Sequence, residues 1–363
     1  MAFPNAYKWV FLCCLAITAS STVLGNKPAV IAYYSGNASQ IDNYPVHKLT
    51  HIIYCFAQLR GSKLYVSPAA GTILKKLVSL KKKNTGLKIL IGFAGWGGCK
   101  NCSSVFASAT GRNEFAASVK ELLDRYALDG IDVDWEYPAI VDGPVGHAYS
   151  PEDKPNFTAL VTTIRKAVGD KKEITFAAGA FSNYLENSIE WQKAMAVCDR
   201  VHLMSYDLVN RRSFFTGHHT PLYRTSFQRE SIDYAVSFLD SLNIPRHKIA
   251  LGIAFYARVY NEVRDLNHGL FQRGKFQRFV VYKGYDNTFS EANGYTLYWD
   301  DEAKAPYAYN TKQQIFATFD DKRSAQLKTQ YAIDKGLGGV MFWELRQDKT
   351  SGGLLDAIYE QVK

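Results

Sequence analysis

From about residue 29 onward, short apolar or β-branched runs alternate with longer amphipathic ones. The strand-like runs are AVIAYY (29–34), LTHIIYCFA (49–57), LKILIGFA (87–94), GIDVDWE (130–136), EITFAAGA (173–180), RVHLMSYD (200–207), KIALGIAFYA (248–257) and LGGVMFWEL (337–345). Between most of them lie patterns of helical period, among them EFAASVKELLDRYA (114–127), PNFTALVTTIRKAV (155–168) and KRSAQLKTQYAIDKG (322–336). Near-continuous apolar strands separated by such helices predict a parallel sheet covered by helices. Eight of them fit a closed (β/α)8 barrel, the TIM-barrel architecture, better than an open doubly wound sheet. The seventh connection breaks the rhythm, with about sixty residues (258–318) rich in Tyr, Phe, Gly and Asn. That is too long for a plain loop, and its aromatic content argues against disorder. It predicts a small β-rich (α+β) insertion beside the barrel mouth.

The first residues carry a different pattern. Lys8 is the only charge before the apolar run Trp9 to Ala16, small residues follow, and Val23-Leu24-Gly25 offers a cleavage site before Asn26. This predicts a secretory signal peptide over 1–25 and a secreted, extracellular chain over 26–363, with an uncleaved anchor as the alternative. No later apolar run is long enough to cross a bilayer, so no membrane partner is expected once the signal is removed. The 363 residues, 47% of them hydrophobic, are enough for one large core. The net charge of +9 is scattered, apart from Lys81-Lys82-Lys83 at a helix end, where it complements the helix dipole. Nothing matches a nucleic-acid motif, and the protein is expected to act as a monomer. Beyond the signal, Cys55, Cys99, Cys102 and Cys198 remain. Cys99-Lys-Asn-Cys102 reads as a local disulfide rather than a zinc or redox pair, because no second metal-type pair and no thioredoxin-like unit accompany it. Three N-glycosylation sequons begin at Asn37, Asn101 and Asn156.

Chemistry concentrates in LDGIDVDWEYP (128–138), where Asp129, Asp132, Asp134 and Glu136 crowd like charge into a strand-like run. Alternation places Asp132, Asp134 and Glu136 on one face, neighbours ~6–7 Å apart, and Ile131, Val133 and Trp135 on the other. In a barrel the apolar face packs under the helices, so the acidic face points inward and Glu136 lies at the C-terminal mouth, where this architecture carries its chemistry. Carboxyls crowded in a poorly solvated site cannot all ionise, and one that keeps its proton near neutrality can act as a general acid. Glu136 is the expected donor, with Asp134 and Asp132 sharing charge behind it and Asp129 bracing the strand start. A solvated acidic face fits a buried strand poorly, and a strand spaces calcium ligands too widely.

The run DGIDVDWEYP resembles the DxxDxDxE signature of glycoside hydrolase family 18, the chitinases, and the likeness extends over nearly all of 29–360. The resemblance implies that Glu136 protonates the glycosidic oxygen, that Asp134 orients the substrate's N-acetyl group, and that Asp132 supports Asp134. It implies no enzyme nucleophile and no cofactor: the acetamido carbonyl of the substrate attacks the anomeric carbon, with net retention. Met204-Ser205-Tyr206-Asp207 resembles the family's M-x-Y-D element, which implies that Tyr206 and Asp207 hold the acetamido group, with Met204 beside them. Trp343 in MFWEL resembles the tryptophan floor under the sugar at the cleavage point, and Tyr33, Phe56 and Trp96 resemble further lining aromatics, Trp96 at an outer subsite. Tyr256 and Arg258 in FYAR resemble the F-Y-G-R ending of the seventh strand, with Arg258 placed to bond a sugar hydroxyl. Gly92-Phe93-Ala94-Gly95 departs from the family's S-x-G-G element at the serine and one glycine. Adjacent His218-His219 are read as loop or substrate contacts, since adjacent residues rarely converge on one metal ion.

Three functions follow: a chitinase cutting β-1,4 bonds between N-acetylglucosamine units, an endo-β-N-acetylglucosaminidase on N-glycans, or a non-catalytic chitin-binding lectin. The insertion favours a groove for a linear polymer, and the presence of Glu136 favours an enzyme.

Overall fold

The computed structural model describes Met1 and residues 27–363; the signal-peptide reading of 1–25 lies otherwise outside the described residues. Its strands are β1 (Ala29–Tyr34), β2 (His51–Arg60), β3 (Lys63–Tyr65), β4 (Lys88–Ala94), β5 (Gly130–Asp134), β6 (Glu173–Gly179), β7 (Arg200–Met204), β8 (Ile249–Ala254), β9 (Tyr256–Asn261), β10 (Lys275–Val281), β11 (Thr296–Asp300), β12 (Ala305–Asn310), β13 (Ile315–Thr318) and β14 (Gly339–Trp343). Eight of them, in the order β1-β2-β4-β5-β6-β7-β8-β14, form a parallel sheet that closes because β1 pairs with both β2 and β14. This is the (β/α)8 barrel. Short β3 folds back antiparallel on the end of β2.

Local chemistry explains the helical layer. The helix Ala109–Tyr126 starts where Ser108 accepts a hydrogen bond from the Gly111 N–H, and ends at Ala127 in the left-handed conformation. The helix Lys322–Asp334 opens on a reciprocal capping box between Asp321 and Ser324. Under this layer lies the outer face of each strand. Trp135, 2% exposed, packs against Phe106 and Phe157 at ring separations of 5.6 and 6.5 Å. Burying such a side chain stabilises the fold by about 2–3 kcal/mol. Among the described residues no helix is long and apolar enough to cross a membrane.

Several barrel strands end before their apolar runs do. β5 ends at Asp134 rather than at 136, β7 at Met204 rather than at 207, and β8 at Ala254 rather than at 257. The last difference has a clear cause. The Phe255 N–H still bonds to Trp343 O (2.9 Å), but its carbonyl accepts from the Tyr282 N–H (2.9 Å), so the chain leaves the barrel there. Tyr256–Asn261 is the first strand of a second, antiparallel sheet ordered β10-β9-β13-β12-β11. The insertion thus begins at residue 256, and Tyr256 and Arg258 stand on its first strand, not at the end of the seventh barrel strand.

Candidate active site

Asp132 and Asp134 sit on β5 with 0% and 3% exposure, and Glu136 follows in the bend just past the strand, half-buried at the C-terminal mouth. The strand ladder makes room for them. Gly92 lies opposite Asp132 and Ala94 opposite Asp134 on β4, so the residues that depart from the family element are small ones beside the carboxylates. Ala94 takes a φ of 77°, a left-handed conformation that favours glycine. Next to it Gly95, at φ 72°, lies so close to Phe56 that a Cβ would fall 2.4 Å from the ring.

Asp132 is held by protein alone. Its carboxylate accepts from Tyr33 Oη (2.8 Å) and Thr175 Oγ1 (2.5 Å) and lies 3.1 Å from His202 Nδ1. Asp134 is different: its Oδ1 is buried without a protein partner. Burial first, then Glu136, then Asp132 push the Asp134 carboxyl well above the usual range. Burial pushes Glu136 up to about 8; a hydrogen bond with Tyr137 partly opposes this, and the charge of Asp207 adds to it. A carboxyl in that state carries its proton at neutral pH.

Asp207 follows β7 at a φ of 61°, with a side chain 39% exposed, so it faces the cleft. Its surroundings work against ionisation, but His219 and Arg258 outweigh them and hold the carboxyl well below the usual range. His219 Nδ1 stands 3.7 Å away, so the contact of hydrogen-bond length is the one from Arg258 Nε. Tyr256 Oη also donates to Asp207 (2.6 Å). The first strand of the insertion therefore reaches over the barrel mouth and fixes one site carboxylate. Arg258 Nη1 is buried without a protein partner. Tyr206, on the same turn as Asp207, donates weakly to Met341 Sδ (3.8 Å) and packs edge-on against Tyr256. Met204 is buried at the end of β7.

Across the mouth, β14, β1 and β2 contribute an aromatic group. Trp343 is half-buried and stacks on Phe56 at 5.8 Å and 15°, with Tyr33 tilted against it at 5.8 Å. Trp96, 51% exposed, stands apart on the loop after β4 and touches Tyr137 edge-on. Cys99, on the same loop, is disulfide-bonded to Cys102 at the start of the helix Cys102–Phe106, with Cα atoms 5.4 Å apart. Asp129 is not at the mouth: it accepts from the Ile89 N–H (2.7 Å) and pairs with Lys81 at the opposite end of β5. The histidine pair lies in the loop after β7. Both rings are fully buried, and His218 Nε2 meets Asp300 Oδ2 of the insertion at 2.9 Å.

Sequence reasoning passed over Thr175, His202 and Tyr137. Two of these were within reach of the period-two rule. His202 precedes Met204 by two on β7, and Thr175 is the ladder partner of Asp132 on β6. Tyr137 reaches the site from a loop, where periodicity carries no signal.

The fold and this arrangement agree with a match to the model of the glycosyl hydrolases family 18 over residues 29–348. The chain belongs to that family. Among its relatives, chitinase A1 of Niallia circulans is 35% identical over 312 residues, which cover 78% of this chain and 44% of that protein. The chain thus spans less than half the length of that relative. The endochitinase of Manduca sexta is 27% identical, over 94% of this chain and 68% of that protein. Among solved structures, a family 18 N-acetylglucosaminidase from Paenibacillus barengoltzii superposes with a TM-score of 0.84 at 34% identity, covering 92% of this chain and 99% of that one. The family 18 barrel of this chain accordingly places its acidic strand and its aromatic group at one mouth.

Proposed function

We propose that the protein is a secreted chitinase, an endo-type glycoside hydrolase that cuts β-1,4 bonds between N-acetylglucosamine units. The observation that carries this reading is Glu136, pushed up to about 8 at a mouth that also holds Asp207 in its charged form. In the proposed reaction Glu136 gives its proton to the glycosidic oxygen as the bond from that oxygen to the anomeric carbon breaks. The acetamido oxygen of the same sugar bonds to the anomeric carbon from the other side. Water then adds to that carbon, the ring formed by the acetamido group reopens, and Glu136 recovers a proton.

The other residues serve this step. Asp134, with its unpartnered Oδ1, would accept from the acetamido N–H, and Asp132, held by Tyr33, Thr175 and His202, would keep it oriented. Tyr206 and Asp207 would hold the acetamido group, Arg258 Nη1 a sugar hydroxyl, and Trp343 the apolar face of the sugar ring, with Phe56 and Tyr33 behind it. Indole stacks well on the CH face of a sugar, and a buried orphan donor or acceptor favours a ligand that satisfies it. The chitinase names of several relatives support the polymer over an N-glycan. Attack by the substrate's own acetamido group requires retention. Proton NMR of a chito-oligosaccharide digest is expected to show the β-anomer of the new reducing end first; initial α-anomer would sink the mechanism.

A further inference from the structure

Glu136 and Asp207 stand on loops that leave β5 and β7, with β6 between them in the barrel. One exposed side chain ties these loops together. Arg212 donates from Nη1 to Asp142 O (3.1 Å) and from Nη2 to Gly143 O (2.6 Å). A planar guanidinium suits two neighbouring carbonyls in a way an ammonium does not.

Both ends of this bridge touch the site. At the β5 end, Gly143 packs against the main chain of Glu136: a Cβ there would lie 2.8 Å from Glu136 O and 2.7 Å from His147 Nε2. Asn183 adds a tie from the helix after β6, donating to Asp142 Oδ2 (2.5 Å). At the β7 end, Asn210 shapes the turn that carries Arg212. Asn210 Oδ1 accepts from the Arg212 N–H (2.9 Å), and its carbonyl accepts from the Ser213 N–H (2.9 Å) and from Tyr260 Oη of the insertion (2.9 Å). The same side chain donates from Nδ2 to Asp207 O (3.3 Å). The path from Glu136 to Asp207 therefore runs through Gly143, Arg212 and Asn210.

We propose that Arg212 is a positioning residue for the proton donor: it clasps the two loops and so fixes Glu136 relative to Asp207 and the sugar between them. This rests on the reading of Glu136 as the acid. The clasp is at the surface, so its loss does little to global stability, yet a small displacement of a reacting group costs up to about 100-fold in rate.

The test compares two substrates. Chitohexaose needs a proton on its leaving oxygen, whereas a nitrophenyl chitobioside expels a stable phenolate and depends far less on the acid. Arg212→Ala is expected to lose about 10- to 100-fold in kcat/KM on chitohexaose and less than about threefold on the nitrophenyl glycoside. Arg212→Lys, able to serve one carbonyl well, should fall between, and thermal melts should show both variants folded. Equal losses on the two substrates, or no loss on either, would overturn the clasp. Glu136→Gln run alongside separates the two ideas: if it still turns over chitohexaose, the acid assignment itself is wrong, whatever Arg212 does.

Discussion

Burial raises Glu136 to about 8, while Asp207, facing the cleft beside Arg258, stays charged. The two states support each other, because the negative charge on Asp207 helps to keep the proton on Glu136. The sign of the pH dependence follows. A raised carboxyl is protonated below its pKa and loses the proton as pH rises through it. An acid catalyst with that pKa is therefore competent at neutrality and fails on the alkaline side. The profile of kcat/KM on chitotriose is expected to fall above about pH 8, by about tenfold per unit. A profile still flat at pH 10 would show that Glu136 is not the donor. At this scale the sequence was readable where side chains alternate. Asp132 and Asp134 share a face because they lie two apart on one strand. The Asp207 environment was not readable, because its partners Arg258, Tyr256 and His219 come from distant segments.

Between elements, one buried ion pair joins the barrel to the helix after the insertion. Lys328 Nζ meets both carboxylate oxygens of Asp320 (2.6 and 2.7 Å) and also Thr220 O and Oγ1, with Lys328 and Asp320 each 0% exposed. Asp320 in turn accepts from the Ala254 N–H (3.0 Å) at the end of β8 and from Ser324 Oγ (2.6 Å). Lys328→Ala strands a carboxylate in the core, and breaking such a pair costs about 3–5 kcal/mol. Thermal denaturation should show a marked drop in Tm; a Tm within a degree of wild type would mean the pair is not structural. The largely apolar runs marked all eight barrel strands, since a strand covered on one side by helices and filled on the other is mostly apolar on both faces. They could not mark where β8 ends. Phe255, Tyr256 and Ala257 continue the apolar pattern, and the change of sheet depends on a hydrogen bond from Tyr282, far along the chain.

Across the whole molecule, the site is built by two sheets. The barrel supplies Asp132, Asp134, Glu136 and the aromatic group of β14, β1 and β2. The insertion supplies Tyr256 and Arg258 from β9, and through Tyr260 it also pins the turn that carries Arg212. The existence of an insertion was legible in the length and aromatic content of 258–318. Its hydrogen bonds to Asp207 were not, because only the folded register brings β9 against that carboxylate. One measurement tests the central claim most directly: mass spectrometry of products from chitohexaose, with wild type beside Glu136→Gln. Wild type should release short N-acetylglucosamine oligomers, and the variant should bind the hexamer but cut it about 100- to 10,000-fold more slowly. Equal release by both proteins would remove Glu136 from the mechanism, and binding without release by either would make this family 18 barrel a lectin.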